Sequence, residues 1–436
     1  MAGERRVRAK APRVDVPTAQ AAATKAFIVP PTDVHAMCGS ASVATPVAAW
    51  KTSRDATSPP WLVDIWGALD SAAAAACECG TLEVSASGGK SAATRLFHRY
   101  PLRLLVPKRV VAPDADAVWC YSVTFGGGLV AGDRSGMSVS VDDGCTAVLA
   151  TQGTTKVYKH TKRPNPESVQ AGSFTTASAF SALEEKTSRE TVQALAAKIG
   201  DGALLAVLPD PTQAFRDACF RQTQRLELTR GGSLALVDWV VSGRAGFEGG
   251  GAGGFTSGVG GGTAPADSLL HYPEGERWAF ASYTAVTEVR LNHEVLLVES
   301  LRLEAEPGQD RSGGSQSEGR TTLAARMGAT HALATVVLVG PRVAETVTHA
   351  RKTAAPLVSR TMRGGAAGVV GSDGTKDWLL VSMSDLLLPS AAGGPKGLVM
   401  RVAGPDTDAV YALLRQVLSP LAAEIGAPPF SERGLA

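Results

Sequence analysis

The chain has 436 residues, 44% hydrophobic and 19% charged, enough for one large domain or two to three ordinary ones with a substantial core. Its 43 basic and 41 acidic residues leave a formal net charge of +2, so no global field favours nucleic acid or a membrane surface as a partner. No apolar run reaches the roughly 18 uncharged residues of a spanning helix, and six cysteines in so long a chain do not suggest a disulfide framework; the expectation is a reduced, cytoplasmic protein.

In chain order, "ERRVRAK" near the start reads as a solvated tail rather than a transit peptide, because Glu4 and Asp15 interrupt the acid-poor pattern. The Ala- and Pro-rich stretch that follows holds one predicted helix, "WLVDIWGALDSAAAAACE" (61–78), with Leu62, Ile65, Trp66 and Leu69 at helical spacing behind Pro59 and Pro60. Residues 1–79 are therefore expected to be a partly disordered extension with one helix.

From residue 81 the period becomes two: "TLEVSAS", "PLRLLVP" and "AVWCYSVTF". "GMSVSVDDG" alternates Met137, Val139 and Val141 with serines, turns at Asp142, Asp143 and Gly144, and runs into "CTAVLATQ", which predicts a hairpin. Two longer pairs, 220–241 and 278–304, turn at Arg-Gly-Gly-Ser and Asn-His-Glu. Many short strands with turn chemistry between them predict an all-β dominated body of antiparallel strands, sandwich-like or solenoid-like. Helices are expected at "RVAETVTHARKTAAPLV", weakened by Pro356, and at 405–426, where Pro405 and Asp406 start a stripe of Val410, Leu413, Leu414, Val417, Leu418 and Leu421. The segments 160–187, 245–274 and 305–320 read as surface-loop insertions. The last two contain "FEGGGAGGFTSGVGGGTA" and "GQDRSGGSQSEG", which lack any apolar period.

Enzyme templates fail on spacing or context. Gly126, Gly128 and Ala131 satisfy the letters of a dinucleotide fingerprint, but period-two sequence follows instead of a helix. The predicted role is a turn where two backbones approach closely. "VSASGGKS" ends like a phosphate loop but has Val84 where the first glycine belongs, and "NHEVLL" has Leu297 where a zinc ligand belongs. No G-x-S-x-G elbow occurs. Cys77-Glu78-Cys79 lacks two further ligands, and the seven histidines are scattered. Cys120 and Cys145 sit in apolar strands and are expected to be buried thiols.

Polar residues crowd two segments. "ATQGTTKVYKH" carries Gln152, Thr154, Lys156 and Tyr158; "LPDPTQAFRD" sets Asp210 between prolines ahead of Arg216. Such edges can form rigid turns, an interface or the wall of a polar channel.

These stretches resemble the urease accessory proteins called UreD (UreH in some bacteria). "PLRLLVPKR", "FGGGLVAGDR", "ATQGTTKVYK", "LLAVLPDPTQAFRDACFRQ", "VSGR" and "GERWAF" stand in the family's order within residues 80–425. The N-terminal extension and expanded loops resemble those of eukaryotic, fungal-type members. The resemblance implies a β-helical body with two helices and no catalysis of its own. It implies partners: a UreF-type helical accessory protein, a UreG-type nickel GTPase and apo-urease. It further implies Ni²⁺ only in transit, through a water-filled internal passage, and GTP used by the partner GTPase. A conduit needs exchangeable oxygen and nitrogen ligands rather than thiolates or paired histidines, so no tight site is expected. By motif position the implied passage or framework residues are Asp133, Gln152, Thr154, Lys156, Tyr158, Asp210, Arg216, Arg244 and Glu276. Within that set, Asp133 can instead bond its own turn, and Arg244 and Glu276 can pair across the insertion. The rival readings are a β-rich hydrolase or transferase with scattered acids, and a scaffold whose glycine segments recruit partners.

Overall fold

A computed structural model describes residues 79–107, 115–159, 190–244, 276–304, 322–362, 367–370, 376–386 and 397–430. The predicted helix at 61–78, almost all of the extension and the three insertions lie outside these residues. The chain divides at Ala48 and Ala49, and every described residue falls in the second unit.

The first strands are β1 (Gly80–Ser87), β2 (Lys90–His98), β3 (Leu102–Leu105), β4 (Val118–Thr124), β5 (Arg134–Val141), β6 (Thr146–Thr151) and β7 (Thr155–Val157). Next come β8 (Thr191–Ile199), β9 (Leu204–Leu208), β10 (Thr212–Ala214), β11 (Cys219–Leu228), β12 (Ser233–Val241), β13 (Ser282–Leu291) and β14 (Glu294–Glu304). A short helix α1 (Leu323–Met327) precedes β15 (Ala332–Val339), α2 (Ala344–Met362), β16 (Ala367–Val370), β17 (Lys376–Leu386) and β18 (Gly397–Gly404). Helices α3 (Thr407–Val417) and α4 (Leu421–Ile425) complete the described chain.

Two sheets result, in the orders β14-β13-β11-β8-β5-β1-β2 and β16-β17-β18-β15-β12-β9-β6-β4-β3, with β10 joining β12 to β7. From β4 to β13 the longer strands alternate between them, the short β7 and β10 staying with the second, so β5, β8, β11 and β13 stack in parallel in the first sheet, and β4, β6, β9 and β12 in parallel in the second. The body is a two-sheet solenoid. The all-β, solenoid-like expectation holds in two mixed sheets: the central stacks are parallel, and antiparallel pairs flank them, as in β1 with β2, β13 with β14, and β12 through β15 and β18 to β17. The alternation corrects the predicted hairpin at Asp142–Gly144, because β5 and β6 lie in different sheets.

The physical reason is visible at the corners. Gly144 donates to the Asp201 carbonyl (2.8 Å) and Gly202 to the Gly231 carbonyl (3.1 Å), so each corner bonds the next coil rather than closing on itself. Asp143 Oδ1 accepts the Asp201 amide (2.7 Å), and Asp201 Oδ1 the Gly231 amide (2.9 Å). A Cβ on Gly231 would stand 2.2 Å from Asp201 Oδ1, so a larger residue there would push the Asp201 carboxylate off the Gly231 amide that it caps.

Sheet two is buried on both faces. Leu234 and Leu236 of β12 face the first sheet, while Ala235, Val237 and Trp239 join Val410, Leu413, Leu414 and Val417 of α3 in the opposite cluster. That is the stripe expected from the sequence, with Asp406 capping the helix by accepting from the Ala409 amide at 2.8 Å. The predicted helix is nonetheless two: it stops after Val417 and restarts behind Pro420, whose missing N–H cannot continue the ladder. The helix at 342–358 forms as α2 and runs through Pro356.

Candidate functional site: a polar layer between the sheets

Side chains alternate faces along a strand, so the space between the sheets can be read position by position. In β11, Phe220, Leu226 and Leu228 belong to apolar clusters, yet Gln222 and Gln224 share their face and are buried. In β12, Asp238 stands in line with Leu234, Leu236 and Val240. The pattern repeats at one height across both sheets. In the first sheet Ser135 pairs with Gln193 and Gln193 with Gln222; one step along, Gln224 pairs with Thr287 and Thr287 with Glu299. In the second, Ser122 pairs with Thr151, Asp238 with Thr335, and Thr335 with Arg401. A polar layer thus runs across the strands, along the solenoid, with apolar packing on either side of it.

The layer is not filled. A cavity of about 70 Å³ is lined by Ser135, Gln193, Gln222, Gln224, Asp210 and Asp238 among others, and a second of about 30 Å³ by Asp238, Tyr283, Glu299 and Thr335. The first has room for a few waters, and both have the polar walls that waters need. Asp238 borders both. It is not sealed by packing, but bulk solvent is remote, and the loss of hydration raises its carboxyl from 3.8 to about 6, against hydrogen bonds from Gln222 and Gln224 that lower it. Gln222 Nε2 donates to Asp238 Oδ1 at 2.8 Å, and Gln224 Nε2 to Thr287 Oγ1 at 3.2 Å.

At one end, Asp210 Oδ1 accepts from the Tyr411 hydroxyl (2.6 Å) and Oδ2 from the Gly153 amide (2.8 Å) and Thr151 (3.2 Å). At the other, Glu299 accepts a forked pair of bonds from Arg401, one from Nε at 2.7 Å.

Of the residues implied by motif position, Asp210 alone lines a cavity of this layer. Asp133 closes its own turn, taking the Val130 amide at 2.9 Å. Gln152 and Lys156 are exposed, and Thr154 is half-buried. Tyr158, Arg216, Arg244 and Glu276 meet in a second cluster around Phe215. Tyr158 sets its ring edge-on to Phe215 at 5.3 Å and the Arg244 guanidinium lies over the same ring at 4.7 Å. Buried Glu276 accepts from Arg244 Nη2 and from the Arg216 amide (3.3 Å). This cluster ties together the two ends of the segment 245–275. The triple glycine packs on its flank. Leu129 donates to the Lys156 carbonyl and Tyr158 to the Leu129 carbonyl, both at 2.8 Å, and a Cβ on Gly128 would come within 2.7 Å of the Lys156 oxygen. Behind the glycines comes β5, not a helix.

The sequence reading missed Gln193, Gln222, Gln224, Asp238, Thr287, Glu299, Thr335 and Arg401. Their signal is a polar residue at an inward position of a period-two run, as in "FRQTQRLEL". Among the described residues no group of three or more His, Cys, Asp or Glu could hold a metal ion. Cys120, also between the sheets, is pushed up to about 12 by burial and stays a neutral thiol. No described helix is long and apolar enough to cross a membrane.

The fold and site define a solenoid body with a polar, partly open interior, walled by neutral oxygen and nitrogen donors with carboxylates at the middle and ends. The chain belongs to the UreD urease accessory protein family, whose model matches residues 78–252 and 270–434. It is 29% identical to urease accessory protein D of Arabidopsis thaliana, over 81% of this chain and 99% of that one. It is 31% identical to the UreD of an Anaeromyxobacter species, over 81% and 88%, and 30% identical to urease accessory protein 4 of Cryptococcus neoformans, over 61% and 71%. It is an accessory protein of urease maturation, not an enzyme.

Proposed function

We propose that the chain guides Ni²⁺ to apo-urease within a cytoplasmic complex that also contains a UreF-type helical protein and a UreG-type nickel GTPase, with the polar layer as the route. The observation that carries this reading is a row of exchangeable donors through an otherwise apolar core. Gln222 and Gln224 are buried there and Gln193, Asp238 and Thr335 half-buried, at inward positions where apolar side chains would pack without a desolvation cost, which supports a role for the layer beyond stability. Oxygen donors hold a divalent first-row ion loosely, and among the described residues lining the two cavities none is a histidine or a cysteine. Asp238 is the one interior carboxylate bordering both cavities, a halfway point for a cation that has shed part of its water. GTP belongs to the partner GTPase. The framework cluster around Glu276 serves by holding the solenoid's shape.

The test fills the layer. Gln222→Leu with Asp238→Leu keeps comparable volumes and removes the donors. We expect the complex to co-purify with urease while nickel per urease falls at least tenfold. Wild-type nickel occupancy in the variant refutes the route. Loss of co-purification instead favours a scaffold role.

A further inference from the structure

The two ends of the layer are closed by chemically different groups. Asp210 is held by neutral donors: the Tyr411 hydroxyl, the Gly153 amide and the Thr151 hydroxyl. Its negative charge remains available to a cation. Glu299 is held by a guanidinium in a fork, so its charge is already matched. The rows from the two sheets converge on this pair: Gln224–Thr287–Glu299 from one and Asp238–Thr335–Arg401 from the other. The smaller cavity lies immediately inside, with Asp238 and Glu299 both on its wall. Arg401 is 43% exposed against 20% for Glu299. The guanidinium can therefore swing into solvent on its flexible stem, while Glu299 stays at the layer.

We infer that Arg401 is a latch: its cation occupies the last carboxylate of the polar layer and keeps a divalent ion from that position until the pair opens. The inference rests on the reading of the layer as the ion's route. It makes Arg401 a positioning residue that acts through Glu299, not a nickel ligand. An exposed ion pair is weak, so a docking partner that offers Arg401 another anion is enough to open it. The two ends are then unequal: one admits a cation, the other admits it only on release.

The experiment follows nickel transfer to apo-urease by the complete accessory complex, using the full chain. Arg401→Met removes the charge and keeps most of the stem. It should raise the initial transfer rate roughly two- to fivefold, the worth of a half-exposed ion pair. Arg401→Lys should restore the slow rate, because a point charge also pairs with Glu299. Raising the salt should speed the wild type more than Arg401→Met, since screening opens the pair. A residue that merely ties β14 to β18 gives the opposite result, a slower or unchanged rate with a lowered melting temperature. That outcome overturns the latch. Asp238→Leu is the separate control. If it slows transfer while Arg401→Met changes nothing, the latch fails and the route stands. If it leaves transfer untouched, the route itself fails, and the latch with it.

Discussion

The cluster around Glu276 and the layer around Asp238 are both charged and both largely inside the protein, but they treat charge oppositely. The Glu276 carboxylate has a partner on each oxygen, Arg244 on one and the Arg216 amide on the other. Asp238 has amide donors from glutamines, no cation on its own carboxyl among the described residues, and a cavity on either side. A matched charge serves shape. A charge left beside a cavity costs stability and is a candidate for function.

Four measurements can break or sharpen that contrast. The largest effect is expected from Glu276→Ala, which strips Arg244 and the Arg216 amide of their acceptor. Urea denaturation should show a loss of about 3 kcal/mol, at the low end of the range for breaking a buried pair because Arg244 is half-exposed. A loss near zero would mean that the cluster is not the framework it resembles.

Gly128→Ala comes next, at about 2–3 kcal/mol, since its Cβ would press on the Lys156 carbonyl and the Tyr158 ring. Thermal melts of the variant would detect it; an unchanged midpoint would deny the close approach.

Asp238→Asn should have the reverse sign. The folded chain keeps this carboxyl protonated up to about pH 6, whereas the unfolded chain releases the proton near 3.8. Between those values the folded state binds more protons, so its stability falls as pH rises through the window, and the full penalty is present at neutral pH. Asparagine removes the charge. It should stabilise the protein at pH 7 by on the order of 2 kcal/mol and flatten the profile from pH 4 to 6, while slowing nickel transfer. Stability and activity moving together would contradict the assignment.

The smallest effect belongs to Tyr411→Phe, about 1 kcal/mol for one hydrogen bond to Asp210. Its value is comparative, because it loosens the end of the layer that carries no cation and should leave transfer close to wild type.

Strand content, the α3 stripe with its Asp406 cap, and the role of the triple glycine were all legible from local pattern. Period, cap chemistry and a failed helix context are short-range properties. Tyr158, Arg216, Arg244 and Glu276 were named from the family's motifs, and the structure brings them together around Phe215. The layer did not stand out. Gln222, Thr287, Asp238 and Thr335 each look like one ordinary polar residue in a strand, and only the register of separate strands brings them to one height.

By itself the sequence determined that this is a β-rich chain of short strands with a helical end, since alternation and turn chemistry act over a few residues. Whether "VSVDDGCTAVL" folds back as a hairpin or steps across to another sheet was decided only by the tertiary structure. Locally the two turns look alike, and the choice depends on corners such as Gly144 and Asp201 bonding to one another across distant coils. That choice of parallel stacking is also what lines up the polar layer, because residues far apart in the chain share a level only once the coils are in register.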